Sequence, residues 1–137
     1  MTLNVPDDLV AMVEGLNKAN LTYITMKEFD QGDGWGWVEH VDVGEYHYGV
    51  YFFESFDKEQ GTMSVSAHIW RTLTDFSEVE MPVGKIKIKM TGKANVELIL
   101  DKVVREGSGS SGYTESLVSG HVDALPGRYN LQFEVAD

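Results

Sequence analysis

The sequence has no cysteine. Disulfides, thiolate metal sites and thiol catalysis are excluded with it. The redox compartment stays open, because a chain without thiols suits either side of a membrane. Basic side chains are scarce: 11 Lys and Arg stand against 22 Asp and Glu, for a net charge of −11. Phosphate binding needs a basic footprint, so no nucleic acid is expected as a partner. An anionic membrane surface is excluded on the same ground. The acidity favours solubility first and a bound cation second. No apolar run approaches the ~20 residues of a membrane helix. The opening Met1-Thr2-Leu3-Asn4 lacks the basic and apolar regions of a signal peptide. Catalytic signatures are missing too. There is no G-x-S-x-G nucleophile elbow, and no Gly-Lys-Ser/Thr follows the glycines of 107–112, so that stretch is not a P-loop. The expectation is a chain that is not an enzyme and has no resident cofactor.

What is present is the size and patterning of one domain over residues 1–137. Leu9, Met12, Val13 and Leu16 recur at the spacing of one helical face, which predicts a helix over residues 5–19. Asn4 suits the N-cap, Pro6, Asp7 and Asp8 suit the first turn, and Lys18 and Asn20 suit the end. Glu14 and Asn17 are then expected to face water. Beyond residue 20 the period becomes two. Thr22, Ile24 and Met26 alternate with Tyr23, Thr25 and Lys27, and residues 35–53 are rich in aromatic and β-branched side chains. Gly44 is read as a turn and Gly49 as a bulge or a close approach. Further strands are expected over 63–73, 85–90, 95–104, 117–122 and 129–135.

Turn chemistry separates these runs. Pro82-Val83-Gly84, Thr91-Gly92-Lys93 and Pro126-Gly127-Arg128 combine a preset φ with glycines free to take positive φ. The Gly/Ser stretch 107–112 reads as a mobile loop. Seven or eight strands after one helix, with no helices between strands, predict a mainly β fold: an antiparallel, jelly-roll-like β-sandwich with one N-terminal α-helix.

The run Val83-Gly84-Lys85-Ile86-Lys87-Ile88-Lys89-Met90-Thr91-Gly92 precedes Val96-Glu97-Leu98-Ile99-Leu100-Asp101 and the Gly/Ser stretch. The chain then closes with Leu125-Pro126-Gly127-Arg128-Tyr129-Asn130-Leu131-Gln132-Phe133-Glu134-Val135. Over residues 80–137 this order resembles the pre-peptidase C-terminal type of β-sandwich domain, appended to secreted bacterial peptidases. Its closing phrase also resembles jelly-roll carbohydrate-binding modules. The resemblance implies a non-catalytic accessory or binding fold. It carries over no functional residue, and it does not account for the N-terminal helix or for residues 35–53.

Two local features bear on ligands. Asp30 and Asp33 sit among Gly32, Gly34 and Gly36. Hard cations take several oxygen ligands from flexible backbone, so Ca²⁺ is the candidate metal there, although the full Ca²⁺-loop pattern is absent. Trp35 and Trp37 share a parity and point the same way on a strand. With Tyr46, Tyr48 or Tyr51 they would form a platform on which sugar rings stack, unless the rings fill the core. The four histidines, His40, His47, His68 and His121, form no metal-binding pair in sequence. Lys85, Lys87 and Lys89 are expected on the solvent side of an edge strand, neutralised by Asp75, Glu78 and Glu80. The sequence thus predicts a binding module for carbohydrate or a protein surface. The alternatives are a structural or assembly protein of a virion or cell surface that associates with itself, and then a small enzyme. The expected compartment is extracellular or the virion.

Overall fold

A computed structural model describes residues 7–25, 38–57, 59–75, 77, 79–82, 84–107 and 113–136. The helix, α1, runs Asp7–Lys18 and buries Leu9, Met12, Val13 and Leu16, the stripe that its spacing predicts. Asp7 and Asp8 in its first turn and Lys18 in its last complement the helix dipole. Asn20 has a φ of 52°, and its N–H and that of Ala19 return to the carbonyls of Asn17, Leu16 and Gly15. A left-handed Asn thus closes the helix.

Among the described residues nine strands follow: β1 Thr22–Ile24, β2 Val38–Val43, β3 Tyr46–Asp57, β4 Thr62–Leu73, β5 Ile86–Thr91, β6 Asn95–Gly107, β7 Tyr113–Ser119, β8 Val122–Ala124 and β9 Arg128–Val135. Every pairing is antiparallel. The expected mainly β chain with one N-terminal helix is therefore what is found. The strands join one sheet in the order β1-β9-β5-β6-β7-β4-β3-β2, with β8 also paired to β4. The sequence predicts the two separate sheets of a sandwich; here the opposed layers are two parts of one curled sheet. Tyr23 of β1 stacks on Phe52 of β3, with ring centroids 4.1 Å apart and planes at 8°, although several strands separate β1 from β3 along the sheet.

Strict alternation supplies the core between those parts. Ile86, Ile88 and Met90 of β5 are buried, as are Val96, Leu98 and Leu100 of β6 and Tyr129, Leu131 and Phe133 of β9. Each such side chain contributes about 1.5–3 kcal/mol of burial free energy. Gly44 turns β2 into β3 with a φ of 61°, as the first central residue of a two-residue connection.

Helix α1 packs against β9 and β2, which lie towards opposite ends of the strand order. Gly15 allows the approach to β2, because a Cβ there would meet Val43 Cγ1 at 2.5 Å. Asn17 holds the other side. Its Nδ2 donates to Phe133 O and its Oδ1 accepts from Phe133 N, both at 2.8 Å. Asn17 was expected to face water; it is half-buried and completes the backbone bonding of β9 where β1 has ended.

The lysine stripe also stands elsewhere than expected. Strand β5 lies between β6 and β9, not at an edge. Its lysines are neutralised across the ladder, Lys87 by Glu97 at 3.9 Å and Lys89 by Glu134 at 3.0 Å. Of the acids expected to do this, Glu78 lies outside the described residues, as does the Gly/Ser stretch 108–112.

Three buried phenols make the fold sensitive to base. Desolvation raises the pKa of Tyr23, and its hydrogen bond to Glu54 raises it further. Desolvation also raises Tyr48, against an opposing pull from Arg71, and raises Tyr129. A raised folded-state pKa means that the unfolded chain releases its protons first. The stability from these groups is therefore fully present below about pH 10 and falls as pH rises beyond it. Urea midpoints should hold to about pH 10 and drop steeply between about pH 10 and pH 12, with delayed phenolate absorbance in the folded state. A midpoint that stays flat over this range would contradict the assignment.

Candidate binding surface

Alternation along β2, β3 and β4 decides which side chains leave the core. Val41 and Val43 of β2 pack on the core, as do Tyr48, Val50 and Phe52 of β3 and Val65, Ala67 and Ile69 of β4. The opposite parity carries His40 and Asp42, then His47, Gly49, Tyr51 and Phe53, then His68, Trp70 and Thr72. Register sets Gly49 between His40 and Trp70, and Tyr51 beside His68.

These side chains form two adjoining aromatic groups. In the first, Trp70 lies across Gly49: a Cβ on that glycine would stand 2.2–2.5 Å from indole Cε2, Cζ2 and Nε1. The close approach expected at Gly49 is thus to this ring. His40 and His47 stack at 5.3 Å and 15°, and each lies 5.7 Å from the Trp70 ring. His47 Nδ1 is 2.6 Å from Asp42 Oδ1. In the second group, His68 stacks on Tyr51 at 5.1 Å and meets Phe53 edge-on at 4.7 Å. Tyr51 and Phe53 are themselves 5.2 Å apart at 80°. Such offset and edge-to-face geometries are the favourable ones for aromatic pairs.

His40 is exposed, Phe53 keeps 36% of its surface in water, and the other four rings are half-buried. On the same side stand the buried Ser116 and the half-buried Val118 of β7, then Lys102 and Val104 of β6. The same side of β5 and β9 carries instead the Lys–Glu pairs described above. One part of the outer face is therefore charged and cross-paired, and another is aromatic. The aromatic part is the candidate interaction surface. Being the outside of a curled sheet, it is convex, whereas sites that enclose small molecules are concave.

The sequence-predicted site residues fall differently. Trp35, Trp37, Asp30 and Asp33 lie outside the described residues. Tyr46 and Tyr48 lie on the inner side. Tyr48 is buried, and the Arg71 guanidinium carbon sits 4.1 Å from the centre of the Tyr46 ring. Arg71 donates through Nε and Nη2 to Glu80 O and reaches Asp8 of α1 at 3.4 Å. These tyrosines therefore surround a link between β4 and the helix. Of the platform residues considered from sequence, Tyr51 alone among those described is on the outer face.

Sequence reasoning missed Trp70, Phe53 and the histidines as one group. The usable signal was i, i+2 spacing: Tyr51 with Phe53, and His68 with Trp70. His121 stands apart, exposed between β7 and β8. Among the described residues, no three His, Asp or Glu side chains converge as a metal site requires. No helix among them is long and apolar enough to cross a membrane. Comparison with known proteins finds no matching family model, curated protein or solved structure.

Proposed function

We propose that this chain is a non-catalytic binding module that holds carbohydrate against the outer aromatic face of β2, β3 and β4. The observation that carries the proposal is Trp70 lying across Gly49, flanked by rings on rigid strands and partly open to water. Sugar rings present C–H faces that stack on such rings. Their hydroxyls need polar groups at the margin, which Asp42 and Ser55 supply, both exposed. The convex shape favours an extended or insoluble polysaccharide over a small sugar. This agrees in kind with the resemblance of the closing strands to jelly-roll carbohydrate-binding modules, and it suits an extracellular setting.

The test is adsorption to microcrystalline cellulose, chitin and insoluble β-glucan. The wild-type protein should leave solution with at least one of them. The double variant Tyr51→Ala/Phe53→Ala should stay in solution while keeping its urea midpoint near the wild-type value. No retention on any of these materials would count against carbohydrate.

A second reading is assembly with a copy of the same chain. It is favoured by the continuity of the aromatic patch with Val118 and Val104, since aromatic surface of this kind is enriched at protein interfaces. Concentration-dependent sedimentation, abolished by the same double variant, would support it.

A further inference from the structure

We propose that the aromatic face is gated by pH, so that protonation of its histidines releases a ligand stacked there. The proposal rests on the binding reading above. Three of the four histidines of the chain stand in this patch. Imidazole is the side chain whose charge ordinarily changes between about pH 5 and 8.

His40 and His47 carry the gate. Their rings stack at 5.3 Å, so two imidazolium charges there would face each other directly. Asp42 of β2, 2.6 Å from His47 Nδ1, can offset one of them. The other groups facing the pair give little relief. Strand β3 adds Tyr51, neutral at these pH values, and β4 adds Trp70 and Thr72, which do not titrate. Further across, β7 contributes Ser116 and Val118, and β6 contributes Lys102, a further positive charge. Protonation of both His40 and His47 therefore places two positive charges in one stack, of which Asp42 offsets one.

Two consequences follow for a stacked neutral sugar. An imidazolium face is electron-poor and no longer attracts C–H donors. Covering it also strips water from a cation, which is costly unless the ligand supplies a counter-charge. Repulsion within the His40–His47 pair would in addition displace the rings that flank Trp70. His68 lies apart from this pair, stacked on Tyr51 and edge-on to Phe53. The effect is concentrated at the edge of the patch formed by β2.

Two measurements on the intact chain test this. The first follows the Trp70 indole N–H resonance by NMR from about pH 8 to about pH 5. It should shift across that range as the stacked pair beside it is pushed apart, and should stay still in the His40→Asn/His47→Gln variant. The second is adsorption to microcrystalline cellulose and chitin at both ends of that range. Retention should weaken about tenfold at the acidic end. The His40→Asn/His47→Gln variant should show a flat profile. Wild-type retention that does not change with pH would overturn the gate and leave the binding reading standing. A Trp70 indole that does not move over the range would overturn the gate alone. Absence of retention at every pH would overturn the binding reading and the gate with it.

Discussion

Tyr23→Ala is expected to lower the free energy of unfolding by about 3–5 kcal/mol, the range for truncating a large buried ring. The reason lies in the curl of the sheet. Strand β1 is only Thr22–Ile24 and, among the described residues, pairs with β9 alone, so its backbone contributes little. Its central side chain nevertheless stacks on Phe52 at 4.1 Å and lies 6.2 Å from Tyr129, joining two distant parts of the sheet across the core. Alanine would leave a cavity at that junction. It would also remove the phenol that donates to the buried Glu54 carboxylate at 2.6 Å. Against a total stability of about 5–15 kcal/mol for a typical domain, this loss is a large fraction. Urea denaturation with an unchanged m-value would measure it. A loss under about 1 kcal/mol would mean that β1 is not held as described.

The polar and apolar parts of that loss can be separated. Tyr23→Phe keeps the ring and removes the hydroxyl, so Glu54 loses its phenol donor in a buried setting. The expected cost is about 1–3 kcal/mol, the penalty for depriving a buried polar group of a partner. Pairing Tyr23→Phe with Glu54→Leu removes both ends of the bond. The double variant should then be less destabilised than the sum of the singles, because no carboxylate remains to be solvated. Strict additivity would show that the two side chains do not interact.

The chemistry that closes this core was only partly legible in the sequence. Period-two alternation named Ile86, Ile88, Met90, Leu131 and Phe133 as inward, and all are buried. Periodicity worked there because one face of those strands is apolar and the other polar. It failed on β3, where Tyr46, His47, Tyr48, Tyr51, Phe52 and Phe53 place rings at both parities. With aromatics on either side, alternation cannot say which set faces water. That is why Tyr48 was read as a platform residue and Phe53 was not. Helix α1 was legible from its apolar stripe, but Asn17 was not, because its role depends on where β9 runs out of a strand partner. The position of β5 was hidden for the same kind of reason. Lysines at alternate positions suit an edge, and only the long-range pairing with β9 shows that they sit opposite Glu134 and beside Glu97. One curled sheet and two facing sheets share the same local pattern, so the choice between them was also beyond the sequence.

Gly49→Val is expected to disable the aromatic face while leaving every ring in the sequence. Valine is well suited to a strand, so the backbone of β3 should accept it. Its side chain would occupy the space that the Trp70 indole now fills, within 2.5 Å of three ring atoms. The indole is the part able to move, and swinging it outward would separate it from His40 and His47. Binding surfaces usually depend on a few such aromatic anchors, each worth about 2 kcal/mol or more. Retention on polysaccharide should therefore fall about thirtyfold, as far as in Trp70→Ala, while the urea midpoint shifts far less than in Tyr23→Ala. Gly49→Ala, with one methyl group, should lie between wild type and valine. The glycine series separates ring position from ring presence, which Trp70→Ala alone cannot do. If Gly49→Val displaced the indole, as tryptophan fluorescence would report, and retention stayed intact, the ligand would have to be held elsewhere on the molecule.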